Sequence, residues 1–281
     1  MTMRLMRALE VPETPRDRLF RASRWHAVLL VVLCAGACAA MIWRHWPAPR
    51  PAYYISAAIL VFLFLMHRFI TARFHPSNWL VRMNDEGLFI HFRSYLNEHL
   101  PAEDPTVVFL GFKDIRSARR VREWLTVRTM NNSSETQLHR YVELELAVDP
   151  TPLAQALAEE CARPGVPEKR WYGTSSTLYR DYPVLMQSPP FLRLEWRVAP
   201  SARAFLKGLE GRVEIAEPIS VSRDFTNMQT LTRNEQEKRL RELDQRGETI
   251  AAVYLARKLY GLDLTEATDH VKNLRGERSH D

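Results

Sequence analysis

Two apolar stretches lie almost back to back near the start of the chain: HAVLLVVLCAGACAAMIW at 26–43, and AYYISAAILVFLFLM at 52–66, running on toward Ile70. Neither carries a charge in its core, and each approaches the roughly 20 residues that a helix needs to cross a hydrocarbon layer. Trp25, Trp43 and Trp46 flank the first, and Tyr53 and Tyr54 open the second, as residues that favour the headgroup level do. The joint, RHWPAPRPA, is short and rich in proline, which forces the two helices to run antiparallel as a hairpin. The competing reading is a buried hairpin of a soluble protein, but no polar face interrupts either stretch. Ala35, Gly36, Ala37 and Cys38 resemble a lipoprotein cleavage site. Ala35 stands where a larger aliphatic residue is usual, however, and a second span follows directly, so no cleavage is expected. Gly36 and Ala40, with Ser56 and Ala57, are expected to let the helices approach closely. Cys34 and Cys38, one turn apart, read as small packing residues.

Arginine sets the orientation. Arg4, Arg7, Arg16, Arg18, Arg21 and Arg24 precede the first stretch, Arg68, Arg73 and Arg82 follow the second, and the joint holds only Arg44 and Arg50. Positive residues gather on the cytoplasmic side, so both ends are expected in the cytoplasm. The formal charge of +6 and pI near 9.4 suit anionic lipid or nucleic acid without selecting either. Ten glycines are few for a chain that cradles phosphates in loops. Three cysteines, two of them in an apolar stretch, suggest no disulfide framework and fit a reducing compartment.

From Asn78 to about Phe225 the period changes to two, the signature of antiparallel strands with one buried face. GLFIHFRSY sets Leu88, Ile90 and Phe92 against Phe89, His91 and Arg93, which places His91 on the wet side. YVELELAV sets Val142, Leu144, Leu146 and Val148 against Tyr141, Glu143 and Glu145, and FLRLEWRV sets Leu192, Leu194, Trp196 and Val198 against Phe191, Arg193, Glu195 and Arg197. MNDEG at 83–87 reads as a turn, and NNSSE at 131–135 as a hairpin tip or longer loop. Two helices interrupt the strands. TPLAQALAEECA has Thr151 as its cap and Pro152 in its first turn; PSARAFLKGLEG buries Ala202, Phe205, Leu206 and Leu209 and stops at Gly211.

NWLVRMNDEGLFIHF followed by VVFLGFKDIRSARRV resembles the bacterial pleckstrin-homology-like domains carried by membrane proteins. The likeness lies in an early strand pair, a further strand, and an aspartate-isoleucine step into the next. It covers about 78–215 and implies a sheet-dominated domain; the helix at 151–162 is extra to the simplest version, so an insertion or another α+β domain fits equally. Within DIRSARRVREWLTVR, Arg116, Arg119, Arg120, Arg122 and Arg128 are candidates for contact with anionic lipid, each worth about 1 kcal/mol beside an anionic leaflet. The alternative is an ordinary solvated edge.

After Phe225 the chain turns charged. Thr232 and Glu235 have capping-box spacing. Glu235 with Arg239, Glu237 with Arg241, and Glu242 with Arg246 are i,i+4 pairs, while Leu240 and Leu243 make a narrow apolar stripe. This reads as an exposed spacer helix or half of a weak coiled coil. Next, GETIAAVYLARKLYGLDLTEATDHVKNL reads as two helices, the first lined by Ile250, Val253, Leu255 and Leu259, ended by Gly261. The second is capped by Asp263 with Glu266 and carries Leu264, Ala267 and Val271, with Leu262 between the two. Ile250, Ala251, Val253, Arg257, Gly261, Leu262, Leu264, Glu266, Ala267, Asp269 and Val271 match, without a gap, the helical hairpin of the C-terminal domain of the bacterial large-subunit ribosomal stalk protein, which this stretch resembles. That family holds translation factors through exposed lysines. Tyr254, Thr265 and Thr268 stand at those positions here, and only seven residues follow Leu274, too few for that domain's strands. The resemblance therefore implies a protein-binding hairpin, with Tyr254, Arg257, Lys258, Gly261, Thr265 and Thr268 as its candidate surface, and does not carry translation-factor binding with it.

No glycine-rich phosphate loop ending in lysine, no His-Glu-x-x-His and no cysteine pair with zinc spacing outside the apolar stretches occurs. Glu159 and Glu160 beside Cys161 lack an identifiable histidine partner, so neither an enzyme nor a cofactor is expected. The reading is a membrane-anchored α+β protein: a basic segment at 1–24, a two-span transmembrane hairpin at 25–70, an antiparallel-sheet-dominated cytoplasmic domain with two helices at 78–225, a charged spacer at 227–246 and a helical hairpin at 247–274. The expected role is an adaptor or scaffold in the bacterial inner membrane with both termini cytoplasmic. Its expected partners are the lipid bilayer and a cytoplasmic protein, with no specific nucleic acid. A lipid-sensing or regulatory subunit and a membrane-bound enzyme are the alternatives.

Overall fold

The computed structural model describes residues 3–44, 50–128, 134–170, 173–224, 228, 231–245 and 249–276. Helices α1 (Arg24–Arg44) and α2 (Arg50–Ala72) are long and apolar enough to cross a membrane, and only 6% of each apolar window is buried within the molecule. Leu33, Trp43, Tyr54, Phe64 and Leu65 all face outward. Ser56 is buried, but a Cβ on Gly36 would meet nothing within 4 Å, so Gly36 does not bring the helices together as expected. The middle of the joint, 45–49, lies outside the described residues.

The body is built from two sheets. The first contains β1 (Arg4–Met6), β2 (Arg18–Phe20), β3 (Val81–Met83), β4 (Gly87–His91) and β5 (Val107–Gly111), in the order β1-β5-β4-β3-β2, all antiparallel. The second centres on the long hairpin of β6 (Ile115–Arg128) and β7 (Ser134–Leu146), whose tip at 129–133 lies outside the described residues. A two-stranded ribbon, β8 (Pro167–Arg170) with β9 (Gly173–Ser176), stands apart. Strands β10 (Val184–Ser188) and β11 (Phe191–Glu195) extend the second sheet beyond β7, and β12 (Glu214–Ile215) and β13 (Ile219–Asp224) run parallel to β6 on its other side.

Between the sheets lies one core. Val81, Leu88, Ile90, Val108 and Leu110 meet Ala118, Val142, Leu144, Leu192 and Leu194 there. Helix α3 (Thr151–Ala162) adds Leu153 and Leu157, and α4 (Ala202–Leu209) adds Phe205, Leu206 and Leu209. The alternation read from YVELELAV and FLRLEWRV puts the expected residues inside. The MNDEG turn is closed by Asn84, whose Oδ1 accepts from the Glu86 and Gly87 amides at 2.9 Å. Gly87 must lack a side chain, because a Cβ there would collide with the Leu110 carbonyl. Helix α3 is capped differently from expectation: Asp149 accepts from both the amide and the hydroxyl of Thr151.

The stretch expected as a separate basic segment at 1–24 belongs to the body over its described residues 3–23. Strands β1 and β2 are the two edges of the first sheet, and Met6, Ala8, Val11 and Leu19 cover its outer face against Trp79, Phe89 and Phe109. Burial of both faces corrects the expected alternation of β4: Phe89 and His91 are each 3% exposed. Arg82, on the same outer face, is held by Glu13 at 2.8 Å.

The tail also departs from the spacer reading. Helices α5 (Arg233–Gln245), α6 (Thr249–Tyr260) and α7 (Leu264–Gly276) enclose their own core of Leu240, Leu243, Ala252, Leu255, Ala256, Ala267, Val271 and Leu274, and Leu125 of β6 enters it. The narrow Leu240–Leu243 stripe suffices because Ala252, Ala256 and Ala267 let the helices approach closely. Both capping boxes form, Thr232 with Glu235 and Asp263 with Glu266. Gly261 takes the left-handed conformation at φ +67 and its amide reaches the Arg257 carbonyl at 2.9 Å. Ile250 and Leu264, expected in the hairpin's core, are 75% and 58% exposed. Glu242 is held by Arg223 and Arg239, whereas Arg246 lies outside the described residues. A buried ionic ladder ties the tail to the sheet. Arg119 binds Glu143, Arg193 bridges Glu143 at 2.6 Å and Glu123 at 3.7 Å, and Arg223 joins Glu123 at 2.6 Å to Glu242.

Candidate functional site at the foot of the hairpin

The apolar hairpin is joined to the body by a small set of polar contacts. Asn78, 2% exposed, accepts from the Ala22 amide at 3.1 Å and donates to the Ala22 carbonyl at 3.1 Å and the Arg73 carbonyl at 2.5 Å. Across the same junction, Arg24 Nε donates to the Arg73 carbonyl at 3.2 Å and Arg73 Nη1 donates to the Ser23 carbonyl at 2.9 Å. One turn up α2, the Phe69 ring meets the edge of Tyr179 at 5.3 Å, and the Arg68 guanidinium lies 5.9 Å from the Tyr179 ring centre. The hairpin is thereby fastened to the first sheet on one side and to the segment before β10 on the other.

Between these fastenings opens a cavity of about 530 Å³. Phe69 and Arg73 of the hairpin's foot, His91 and Tyr95 beside β4, and Asp181 and Arg197 from the second sheet's flank all line it. Arg197 reaches Glu195 at 2.5 Å and Asp181 at 3.6 Å, and Ser94 Oγ donates to Asp181 at 2.8 Å. Burial raises the Asp181 carboxyl above its ordinary range and also raises the Tyr95 phenol, which feels the charges of Arg73, Asp181 and Arg197 together. Arg93 also borders the cavity, but its charge is met elsewhere: Glu160 takes two bonds at 2.7 and 2.9 Å, Asp104 one at 2.6 Å, and the Pro101 carbonyl one at 2.8 Å. Arg73 differs, for no carboxylate lies within ion-pairing distance of it among the described residues.

His91 forms the floor. Its ring lies 4.9 Å from that of Trp79, and Nδ1 has no hydrogen-bond partner among the described residues. Burial lowers its pKa from 6.5 to about 4, against weaker opposing pulls from the backbone of Trp79 and Ser77. An unfolded chain protonates this imidazole below 6.5 and the folded one only near 4, so stability falls as pH drops through that window. The loss attributable to His91 is expected to reach roughly 2 kcal/mol by pH 5. Thermal unfolding of the detergent-solubilised chain between pH 7 and pH 5 should show it, and His91→Phe should remove that part of the slope. Equal slopes in the two proteins would mean that the imidazole does not stay neutral.

No family model, curated protein or solved structure matches this chain. The site therefore stands on its own geometry.

The residues singled out from sequence lie elsewhere. On the tail, Arg257, Lys258, Gly261 and Thr265 are exposed and Tyr254 is half-buried, while Thr268, also half-buried, donates its hydroxyl to the Leu264 carbonyl at 2.7 Å. Ile250, Tyr254 and Arg257 follow one outward line on α6 at helical spacing, and Gly261 lies just beyond its end. The four candidate lipid-contact arginines do not form one edge. Strand β6 is internal, between β7 and the parallel strands. Arg116 pairs with Glu145 at 2.8 Å, and Arg119 pairs with Glu143 beneath the Phe191 ring. Arg120 and Arg122 occupy the opposite face from Arg119, since side chains alternate along a strand. Glu160, beside Cys161, is engaged by Arg93 and Arg163. Sequence reasoning did not find the cavity, because its wall comes from six separate segments. The one local signal was an arginine, Arg73, immediately beyond an apolar span.

Proposed function

We propose that this chain is an adaptor anchored in the bacterial inner membrane, with α1 and α2 as a two-span hairpin and the body and tail in the cytoplasm. One observation carries the reading. Strand β2 precedes the hairpin, β3 follows it, and the two pair directly, Phe20 opposite Val81. Both ends of a spanning hairpin must then lie on one side, and the arginine-rich flanks assign that side to the cytoplasm. The hairpin would confine the body and the three-helix tail to the membrane surface and raise their effective concentration for partners found there. The outward line of Ile250, Tyr254 and Arg257 on α6 is the protein-contact surface in this reading.

Two measurements test it. Reporters fused at either end of the chain should read cytoplasmic, and one inserted at Pro49 should read periplasmic; a periplasmic signal from the C-terminal fusion rules out the anchor. Proximity labelling in the native host should recover a defined set of proteins that Tyr254→Ala loses without change in abundance or membrane association. An unchanged set would remove α6 from consideration as the contact surface.

A further inference from the structure

The cavity at the foot of α2 has the features of a ligand site. It is roomy, and its wall is partly apolar at Phe69, cationic at Arg73, and ionic where Arg197 meets Asp181 and Glu195. It has a buried histidine with an unsatisfied nitrogen on its floor. Its position sets the class of ligand. Phe69 and Arg73 belong to the last turn of an apolar helix and the residue just beyond it, where hydrocarbon would give way to headgroups in a spanning hairpin. A ligand arriving from there brings acyl chains along α2 and an anion at the level of Arg73.

We propose that this cavity binds the phosphate-bearing headgroup of a bilayer lipid, with Arg73 as the principal cation, Arg197 as the second, and Phe69 beside the glycerol and first methylenes. The assignment of lipid rather than free phosphate rests on the membrane-anchored reading above; the phosphate chemistry rests on the cavity alone. Arg73 suits the role because, among the described residues, its guanidinium donates to the Ser23 carbonyl and no carboxylate neutralises it. Planar guanidinium groups match phosphate oxygens in charge and geometry. Arg197 is shared between Glu195 and Asp181, and its 3.6 Å contact with Asp181 is loose enough to be exchanged for a phosphate oxygen.

The test uses the full chain, delipidated in detergent and titrated with dioctanoyl phosphatidic acid, dioctanoylglycerol and inorganic phosphate, with binding read by native mass spectrometry. Phosphatidic acid should bind saturably, and dioctanoylglycerol, which keeps the tails but not the phosphate, should not. Arg73→Gln is expected to weaken phosphatidic acid about tenfold or more, as loss of a charge-assisted bond does. Arg197→Gln, on the opposite wall, should weaken it less, and it decides the matter if Arg73→Gln fails to fold. Equal binding of phosphatidic acid and dioctanoylglycerol, or undiminished binding by the variants, overturns the proposal. Inorganic phosphate that binds as tightly as the lipid and displaces it overturns the lipid assignment and leaves a phosphate site. Membrane fractionation of the same proteins separates the two ideas: an anchored protein that ignores the lipid refutes the site alone, and an unanchored one refutes the adaptor reading.

Discussion

Arg93→Met is expected to destabilise the body by about 3–5 kcal/mol, more than any other single change to a polar side chain considered for this chain. Arg93 is 6% exposed, and its guanidinium is the shared partner of Glu160 and Asp104. Methionine fills much of the same space without charge, so the packing loss is small and the electrostatic loss dominates. Glu160, 8% exposed in its side chain, would keep only Arg163 at the rim, and the Pro101 carbonyl would lose its donor. Leaving a carboxylate buried without its main partner is what makes breaking a buried pair costly. The double variant Arg93→Met with Glu160→Met should recover a large part of the loss, since it removes the stranded charge as well. Thermal midpoints of the solubilised chain would show the pattern; a double variant no more stable than the single one would mean that packing, not charge, sets the cost.

Asn78→Ala is the second large effect, about 3 kcal/mol or roughly 10 °C in the unfolding midpoint. It strips partners from the Ala22 amide and the Ala22 carbonyl, and removes one of the Arg73 carbonyl's bonds, at a largely buried junction. Each buried backbone group left unpaired costs on the order of 1–3 kcal/mol, and Arg24 still serves the Arg73 carbonyl. Asn78→Asp should fall between, since it keeps the acceptor for Ala22 and loses the donor. The change also loosens the hairpin from the body, so limited proteolysis near residue 22 should accelerate in step with the loss of stability. A stable protein cleaved faster there would separate the joint's rigidity from the body's folding.

The parts of this fold visible in the sequence are those specified by local pattern. Uninterrupted apolar runs marked α1 and α2, period-two alternation marked β7 and β11, and Asp263 with Glu266 marked the start of α7. The misreadings share a cause. VVFLGF at 107–112 is apolar at every position, as suits a strand buried on both faces, yet the cover for the second face is a segment of the first 20 residues with strands of only three residues each. So short a strand carries no periodicity, and nothing in its own composition announces a partner beyond the hairpin. His91 and Arg93 looked solvated because polar residues usually are; only Trp79 against the imidazole and Glu160 of α3 against the guanidinium put them inside. Leu240 and Leu243 looked insufficient for a core because the alanines that complete it sit on α6 and α7. The cavity at the hairpin's foot was the least legible part, since Arg73, His91, Asp181 and Arg197 are brought together only by the tertiary fold.

The pairing of β2 with β3 has a consequence for biogenesis. The chain makes β1 and β2 first, then the hairpin, and only afterwards the strands that those two must join. If the hairpin spans the bilayer, a molecule with just one helix inserted would hold β2 and β3 on opposite sides of the membrane. Its first sheet would lack an edge, and the Asn78 junction would have nothing to close upon. Correct insertion and a completed body are thus a single event: the folded body is itself the check that both helices crossed. A misinserted copy would expose Trp79, Phe89 and Phe109 and be open to proteolysis, whereas a correctly inserted one hides them. Pulse-labelled chains carrying an arginine pair in the middle of α2 should therefore be degraded from the body inward, even though no residue of the body has been altered.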